Sequence, residues 1–245
     1  VALVSTGVFA QDVEVLETDK PWGNPEVSAI NRAPMGTTMD IEDSQVVSLH
    51  GLWKFNWVDD ATMRPVDFYE VDYNDRGWGT ITVPGIWELY GYGDPLYLNP
   101  GFPWMTHFRS NPPYIPVEKN HVGTYRNTIN VPAEWIESGK DIFAHFGSVT
   151  SNISLYINGK YVGYSEDSKL EAVFDITDYV VAGENLIAFQ VFRWCDGTYL
   201  EDQDFWRMTG IARDCYLYTR AAERAATVEA VATLDDNYKN GILSV

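Results

Sequence analysis

The stretch Tyr199–Arg213, YLEDQDFWRMTGIAR, sets three carboxylates, Glu201, Asp202 and Asp204, among the rings of Tyr199, Phe205 and Trp206. Like charges so close together repel unless water, a cation, an arginine or hydroxyl groups take up the negative oxygens. Flat apolar faces beside carboxylates are what a carbohydrate pocket uses, the rings stacking on the sugar and the oxygens holding its hydroxyls. A second reading is structural: Arg207 and Arg213 hold the acids and Trp206 plugs a core edge. Residue type alone does not choose between them.

Other chemistry finds little support. His50, His107, His121 and His145 are scattered with no i, i+4 pair, against a zinc site. There is no Gly-x-Ser-x-Gly elbow and no phosphate-cradling glycine loop. Glycoside hydrolysis with retention needs an acid and a nucleophile roughly 5 Å apart. Nothing outside the cluster at 201–204 nominates such a pair, so no catalytic residue is assigned in this stretch.

The acids and rings must be held by a scaffold, and composition bounds it. The 245 residues fit one large all-β domain or one and a half ordinary ones. Aromatic content of 14% with nine Trp exceeds what a core usually demands and suits ring stacking on sugars. A formal net charge of −18 disfavours nucleic acid and anionic membrane surfaces as partners and favours neutral substrates. Cys195 and Cys215 are too few for a disulfide scaffold and are expected as buried free thiols.

The opening VALVSTGVFAQD has an apolar run ending at Val8, Phe9 and Ala10 and turns polar at Gln11. It reads as the tail of a secretion signal, with residues 1–19 as signal remnant and linker and the protein exported, periplasmic or extracellular. Residues 20–47, interrupted by Pro21, Pro25 and Pro34 and anchored by Trp22, Ile30 and Met35, form an extended arm laid over a domain.

From Ser48 the pattern turns to strands. Leu49, Leu52, Trp53, Phe55 and Trp57 give the first, then Ile81–Val83, Val122–Val131, Ile142–Val149, Phe174–Ile176 and Leu186–Trp194. Asn158-Gly159, between Asn152–Ile157 and Lys160–Tyr164, is a hairpin signal, since both residues tolerate the positive φ of a primed turn. Helical periodicity is confined to a turn or two near Ala133–Ser138. Gly85–Pro116, dense in Gly, Pro, Tyr and Trp, reads as a long functional loop.

Short antiparallel strands without alternating helices predict a jelly-roll β-sandwich over residues 48–219. Residues 220–245, with strands Thr227–Leu234 and Gly241–Val245, read as the truncated start of a second, immunoglobulin-like β-domain.

The run Arg193, Trp194, Asp196, Gly197, Tyr199–Asp204, Trp206–Met208, Gly210, Ile211, Arg213 and Asp214 resembles the N-terminal domain of the large β-galactosidases of glycoside hydrolase family 2. Matches continue in order at Asn24, Pro25, Val27, Asn31 and Arg32, at Ser48, Leu49, Gly51, Trp53 and Phe55, and at Val83, Pro84, Trp87, Gly91 and Tyr92. Pro95, Tyr97, Asn99, Asn111–Pro113, Gly123, Tyr125, Val162–Ser165, Asp167, Ser168 and Ala182–Asn185 extend them. The resemblance covers roughly residues 22–218.

It implies a galactose-binding-like jelly roll that precedes an immunoglobulin-like domain and a TIM barrel, the barrel supplying both catalytic glutamates for retention by double displacement. On this resemblance Asn99 and Asp204 bind galactose, Asp204 also holds an active-site sodium ion, and the full-length enzyme carries magnesium. Glu201 and Asp202 are then left to hold the loop through Arg207 or Arg213. Where better-known members carry Asn-Val-Thr, this chain has Asn99, Pro100 and Gly101, a departure that bears on the aglycone side.

The expected partners are β-galactosides and the rest of the same polypeptide. The rival expectations are a stand-alone carbohydrate-binding module, or a structural domain whose arm builds a homo-oligomer.

Overall fold

The computed structural model describes residues 17, 19–35, 46–99, 101–201, 204, 206–225 and 228–245. The signal-like residues 1–16, arm residues 36–45, Pro100, Asp202, Phe205 and Thr227 lie outside the described residues.

The arm contributes β1 (Ala29–Ile30). The body opens with β2 (Val46–Ser48), β3 (Gly51–Val58), β4 (Gly79–Val83) and β5 (Gly85–Ile86). After a long loop come β6 (Val122–Val131), the short helix α1 (Ala133–Glu137), β7 (Asp141–Phe146), β8 (Val149–Thr150), β9 (Asn152–Ile157) and β10 (Lys160–Glu166). Then follow β11 (Ala172–Asp175), β12 (Gly183–Phe192), β13 (Gly210–Ile211) and β14 (Cys215–Arg220), and finally β15 (Val231–Leu234) and β16 (Gly241–Ser244).

A seven-stranded antiparallel sheet in the order β1-β10-β9-β12-β6-β3-β4 packs on a four-stranded sheet, β11-β7-β14-β2, as the jelly-roll expectation required. Period-2 alternation makes the contact surface. Along β3, Trp53 and Phe55 point into the core while Leu52 is 68% exposed, so Leu52 belongs to the solvent side and not to the inward pattern. From the smaller sheet Ala144, Phe146, Phe174 and Leu217 meet Phe55, Leu155 and Phe189 of the larger one. Tyr125 stacks on Phe189 at 4.4 Å between ring centroids. Burying each such ring stabilises the fold by roughly 1.5–3 kcal/mol relative to leaving it in water.

The β9–β10 turn has Asn158 at φ 51° and Gly159 at φ 81°, the primed geometry its sequence demands. Cys195 and Cys215 are free and buried, as their number implied.

The arm is anchored at one aromatic and one strand. Trp22 is buried and stacks on Phe192 at 4.6 Å, and β1 closes an edge of the larger sheet by pairing with β10. Ile30 is 37% exposed, so it pairs through its backbone and is not the apolar anchor its residue type indicated. At the other end, β15 and β16 pair with each other in a separate two-stranded sheet, and every residue of both strands is exposed.

Candidate functional site

Two loops meet at the site, and short backbone pairings set their spacing. The loop after β5 and the loop before β13 share a base, because β13 lies between β5 and β8 in a three-stranded sheet. The approach is close enough to require glycine: a Cβ on Gly210, which has φ 117°, would stand 2.5 Å from the Gly85 carbonyl oxygen. Above that base, Trp87 N–H donates to Thr209 O at 2.9 Å. The Glu88 carboxylate, buried and with its pKa raised by desolvation, accepts the Thr209 N–H at 2.9 and 3.1 Å. Higher still, Leu96 and Arg207 exchange main-chain hydrogen bonds of 3.3 and 2.6 Å.

That last bridge aims the functional side chains. Tyr97 follows Leu96 and Trp206 precedes Arg207, so their rings face each other at 5.7 Å between centroids. Tyr97 and Asn99 stand two positions apart in the segment that leaves this bridge. Both reach one carboxylate: Tyr97 Oη donates to Asp204 Oδ1 at 2.7 Å and Asn99 Nδ2 donates to Asp204 Oδ2 at 3.2 Å. This commitment of its proton to Asp204 raises the Tyr97 pKa above its ordinary value.

The cluster is open to solvent, with Tyr97 46% and Trp206 54% exposed, and Asn99 and Asp204 are exposed as well. Trp206 therefore does not plug the core. Each Asp204 oxygen uses one acceptor site on its protein donor and keeps another for a ligand hydroxyl or a cation. A hard carboxylate oxygen is the donor type an alkali ion takes, so Asp204 fits a sodium ion.

Glu201, the other described acid of the stretch, is tied down differently from expectation. Glu201 is not held by a guanidinium: its carboxylate accepts from Ser168 N–H at 3.0 Å and Ser168 Oγ at 2.6 Å. Arg207 instead donates Nη2 to the Glu201 main-chain oxygen at 2.6 Å. Arg213 turns away to Lys169 O at 2.6 Å. The reason is reach: Ser168 offers a backbone and a side-chain donor together, which saturates one carboxylate without ordering a long side chain. Tyr199 packs edge-on against Trp104 at 5.0 Å and donates to Tyr114 O at 2.7 Å, so it serves the loop's footing. Sequence reasoning assigned no role to Tyr97 or Ser168; the Tyr97-x-Asn99 spacing was the signal available for the first.

Beneath the loop, a buried acid pair governs its root. Glu166 Oε1 accepts from Tyr164 Oη at 2.8 Å, and Asp196 starts the 3₁₀ turn Asp196–Tyr199. Burial first, and then the neighbouring Asp196 charge, push Glu166 up to about 8. Cys195 lies within the same group. A Glu166 carboxyl pushed up to about 8 beside a buried thiol does not suit magnesium, which takes ionised oxygen ligands.

Residues 46–221 match the family model described as glycosyl hydrolases family 2, sugar binding domain. The chain belongs to that family. Among its relatives, the beta-galactosidase of Priestia megaterium is 42% identical over 198 residues, which is 81% of this chain and 19% of that protein. The beta-galactosidase of Photobacterium profundum is 39% identical over 236 residues, covering 92% of this chain and 22% of its own length. The chain thus spans about a fifth of the length of these curated relatives.

Among solved structures, Bacteroides uniformis beta-glucuronidase superposes with a TM-score of 0.53 at 21% identity, over 73% of this chain and 18% of that one. An uncultured Clostridium sp. beta-glucuronidase gives 0.53 at 21% identity over 85% and 34%. Both likenesses concern the fold.

Proposed function

We propose that this family 2 domain is the non-catalytic N-terminal part of an exported, retaining β-galactosidase that cleaves terminal β-D-galactosides. The observation that carries the reading is the convergence of Tyr97 and Asn99 on Asp204 at an exposed surface beside Trp206. Amide, phenol and carboxylate together accept from and donate to vicinal hydroxyls, and an exposed indole offers a face for the sugar ring. The relatives named beta-galactosidase favour galactosides over other glycosides. In this reading Asn99 and Asp204 hold galactose, and Asp204 shares its second acceptor site with sodium.

The bound ion supplies a fixed positive charge beside the sugar; orientation of the substrate falls to the protein side chains. Catalytic glutamates and the closing wall of the pocket belong to a barrel elsewhere in the polypeptide, the full-length enzyme carries magnesium, and the arm is a candidate for contacts between subunits.

Two measurements test the proposal. The purified 245-residue chain is expected to turn over no chromogenic galactoside; turnover with contaminating enzyme excluded would refute it. In the enzyme that carries this domain, D204N is expected to cripple activity and blunt its sodium dependence. Unchanged kinetics would remove the role assigned to Asp204.

A further inference from the structure

A groove lies away from Asp204, on the outer face of the four-stranded sheet. It measures about 600 Å³ and is lined by His145, Glu171, Arg213, Asp214 and Tyr216, with Gly147 at its wall. Alternation explains its floor. Ala144, Phe146, Cys215 and Leu217 face the core, so the residues between them, His145 and Tyr216, face outward. They are register partners on β7 and β14, and their rings stack at 4.5 Å with planes 15° apart.

The walls are fixed. Arg213 Nη1 donates to Lys169 O at 2.6 Å and to Gly147 O at 3.5 Å. Gly147 allows the close approach, since a Cβ there would meet Arg213 Cβ at 3.0 Å and Asp214 O at 3.1 Å. Asp214 Oδ1 lies 3.4 Å from His50 Nε2. His145, only 8% exposed, has its Nδ1 buried without a hydrogen-bond partner, 3.6 Å from Glu171 Oε2.

We propose that this groove is a second carbohydrate-binding site, taking a short neutral saccharide, and that it works independently of the Tyr97–Asn99–Asp204 cluster, with which it shares no residue. Its volume falls within the roughly 300–1,000 Å³ of small-ligand sites. Its charges select against ions, because Glu171 and Asp214 oppose an anion and Arg213 opposes a cation. Vicinal hydroxyls, each both donor and acceptor, suit the Asp214 carboxylate, the Arg213 guanidinium and the His145 Nδ1 together. The half-buried Tyr216 ring, backed by His145, supplies the apolar surface against which a pyranose face rests. Burial holds the His145 pKa below its ordinary value against the pull of Glu171 and Asp214, so the floor stays uncharged at neutral pH.

The test is amide-resolved NMR titration of the 245-residue chain with methyl β-D-galactopyranoside and with cellobiose, to about 50 mM for a weak site. Saturable shifts at Gly147, Glu171 and Asp214 are expected with at least one sugar, and they should persist in D204N. Y216A is expected to weaken them at least tenfold and Y216F to retain them, with near-ultraviolet circular dichroism reporting the fold. Should Y216A fail to fold, R213A on the wall takes its place, with a similar loss expected. Absence of groove shifts, shifts reproduced by equal concentrations of glycerol, or native affinity in the folded wall or floor variant would each overturn the proposal. Sugar-induced shifts confined to residues 97–99 and 204 would overturn it while leaving the proposed function standing.

Discussion

Tyr97 and Asp204, 107 positions apart in sequence, are joined by a 2.7 Å hydrogen bond from phenol to carboxylate. The bond lies at the surface, so it contributes little to the fold and much to where the Asp204 oxygens point. It also means that a ligand hydroxyl at Oδ1 must join a carboxylate that already has a donor.

Y97F follows directly. The loss of this hydrogen bond to the sugar-holding carboxylate is expected to raise KM for a galactoside roughly tenfold in the full-length enzyme. The melting temperature of the 245-residue chain should move by less than about 2 °C, because an exposed site leaves no buried group orphaned. Steady-state kinetics and calorimetry read the two effects, and a large loss of stability with unchanged KM would contradict the assignment.

G210A addresses the shared base of the loops. Its Cβ would sit 2.5 Å from the Gly85 carbonyl in a backbone conformation that favours glycine. A cost of about 2–4 kcal/mol is expected, or roughly 5–15 °C in melting temperature for a domain of this size. A shift under about 2 °C would show that β5 and β13 can separate freely.

The buried acid beneath the loop predicts a pH dependence. Glu166 has an ordinary pKa of 4.5 when unfolded and about 8 when folded, so the native state binds its proton more tightly. As far as this group is concerned, stability is greatest below pH 4.5, falls as pH rises from there to about 8, and levels off above. His121 acts with the opposite slope: burial, helped by Arg193, lowers it from 6.5 to about 4, so its contribution is lost as pH falls through that window. Urea midpoints across both windows should show E166Q gaining on the parent toward pH 8 and matching it near pH 4.5. Parallel profiles would rule out the buried acid as their source.

W22A tests the arm. Removing a buried indole stacked on Phe192 should cost about 3–5 kcal/mol of arm docking or global stability. Limited proteolysis should then cleave between residues 22 and 35 much faster than in the parent, and an unchanged cleavage rate would place the anchor elsewhere.

The fold was largely legible because its signals are local. Asn158-Gly159 names its own turn, and the Trp53-x-Phe55 alternation names its own buried face. Leu52 was misplaced because an apolar residue on the outer face of a strand looks no different in sequence from one on the inner face. β5 and β13, two residues each, are too short to carry periodicity, yet they decide where the site loops meet. The site was legible in its residues, Asn99 and Asp204, through resemblance and not through spacing. What stayed hidden was pairing: nothing local tells Glu201 to choose Ser168 over the arginines nearby in the chain.

The close approach of Gly85 and Gly210 has a consequence for how such a domain diversifies. Two positions without side chains fix the frame, while Tyr97, Asn99, Asp204 and Trp206 project from it into solvent. Substitutions at those four positions alter what the surface recognises without touching the core. Preference for a sugar can therefore drift one side chain at a time on an unchanging backbone, with the glycines as the part that does not move.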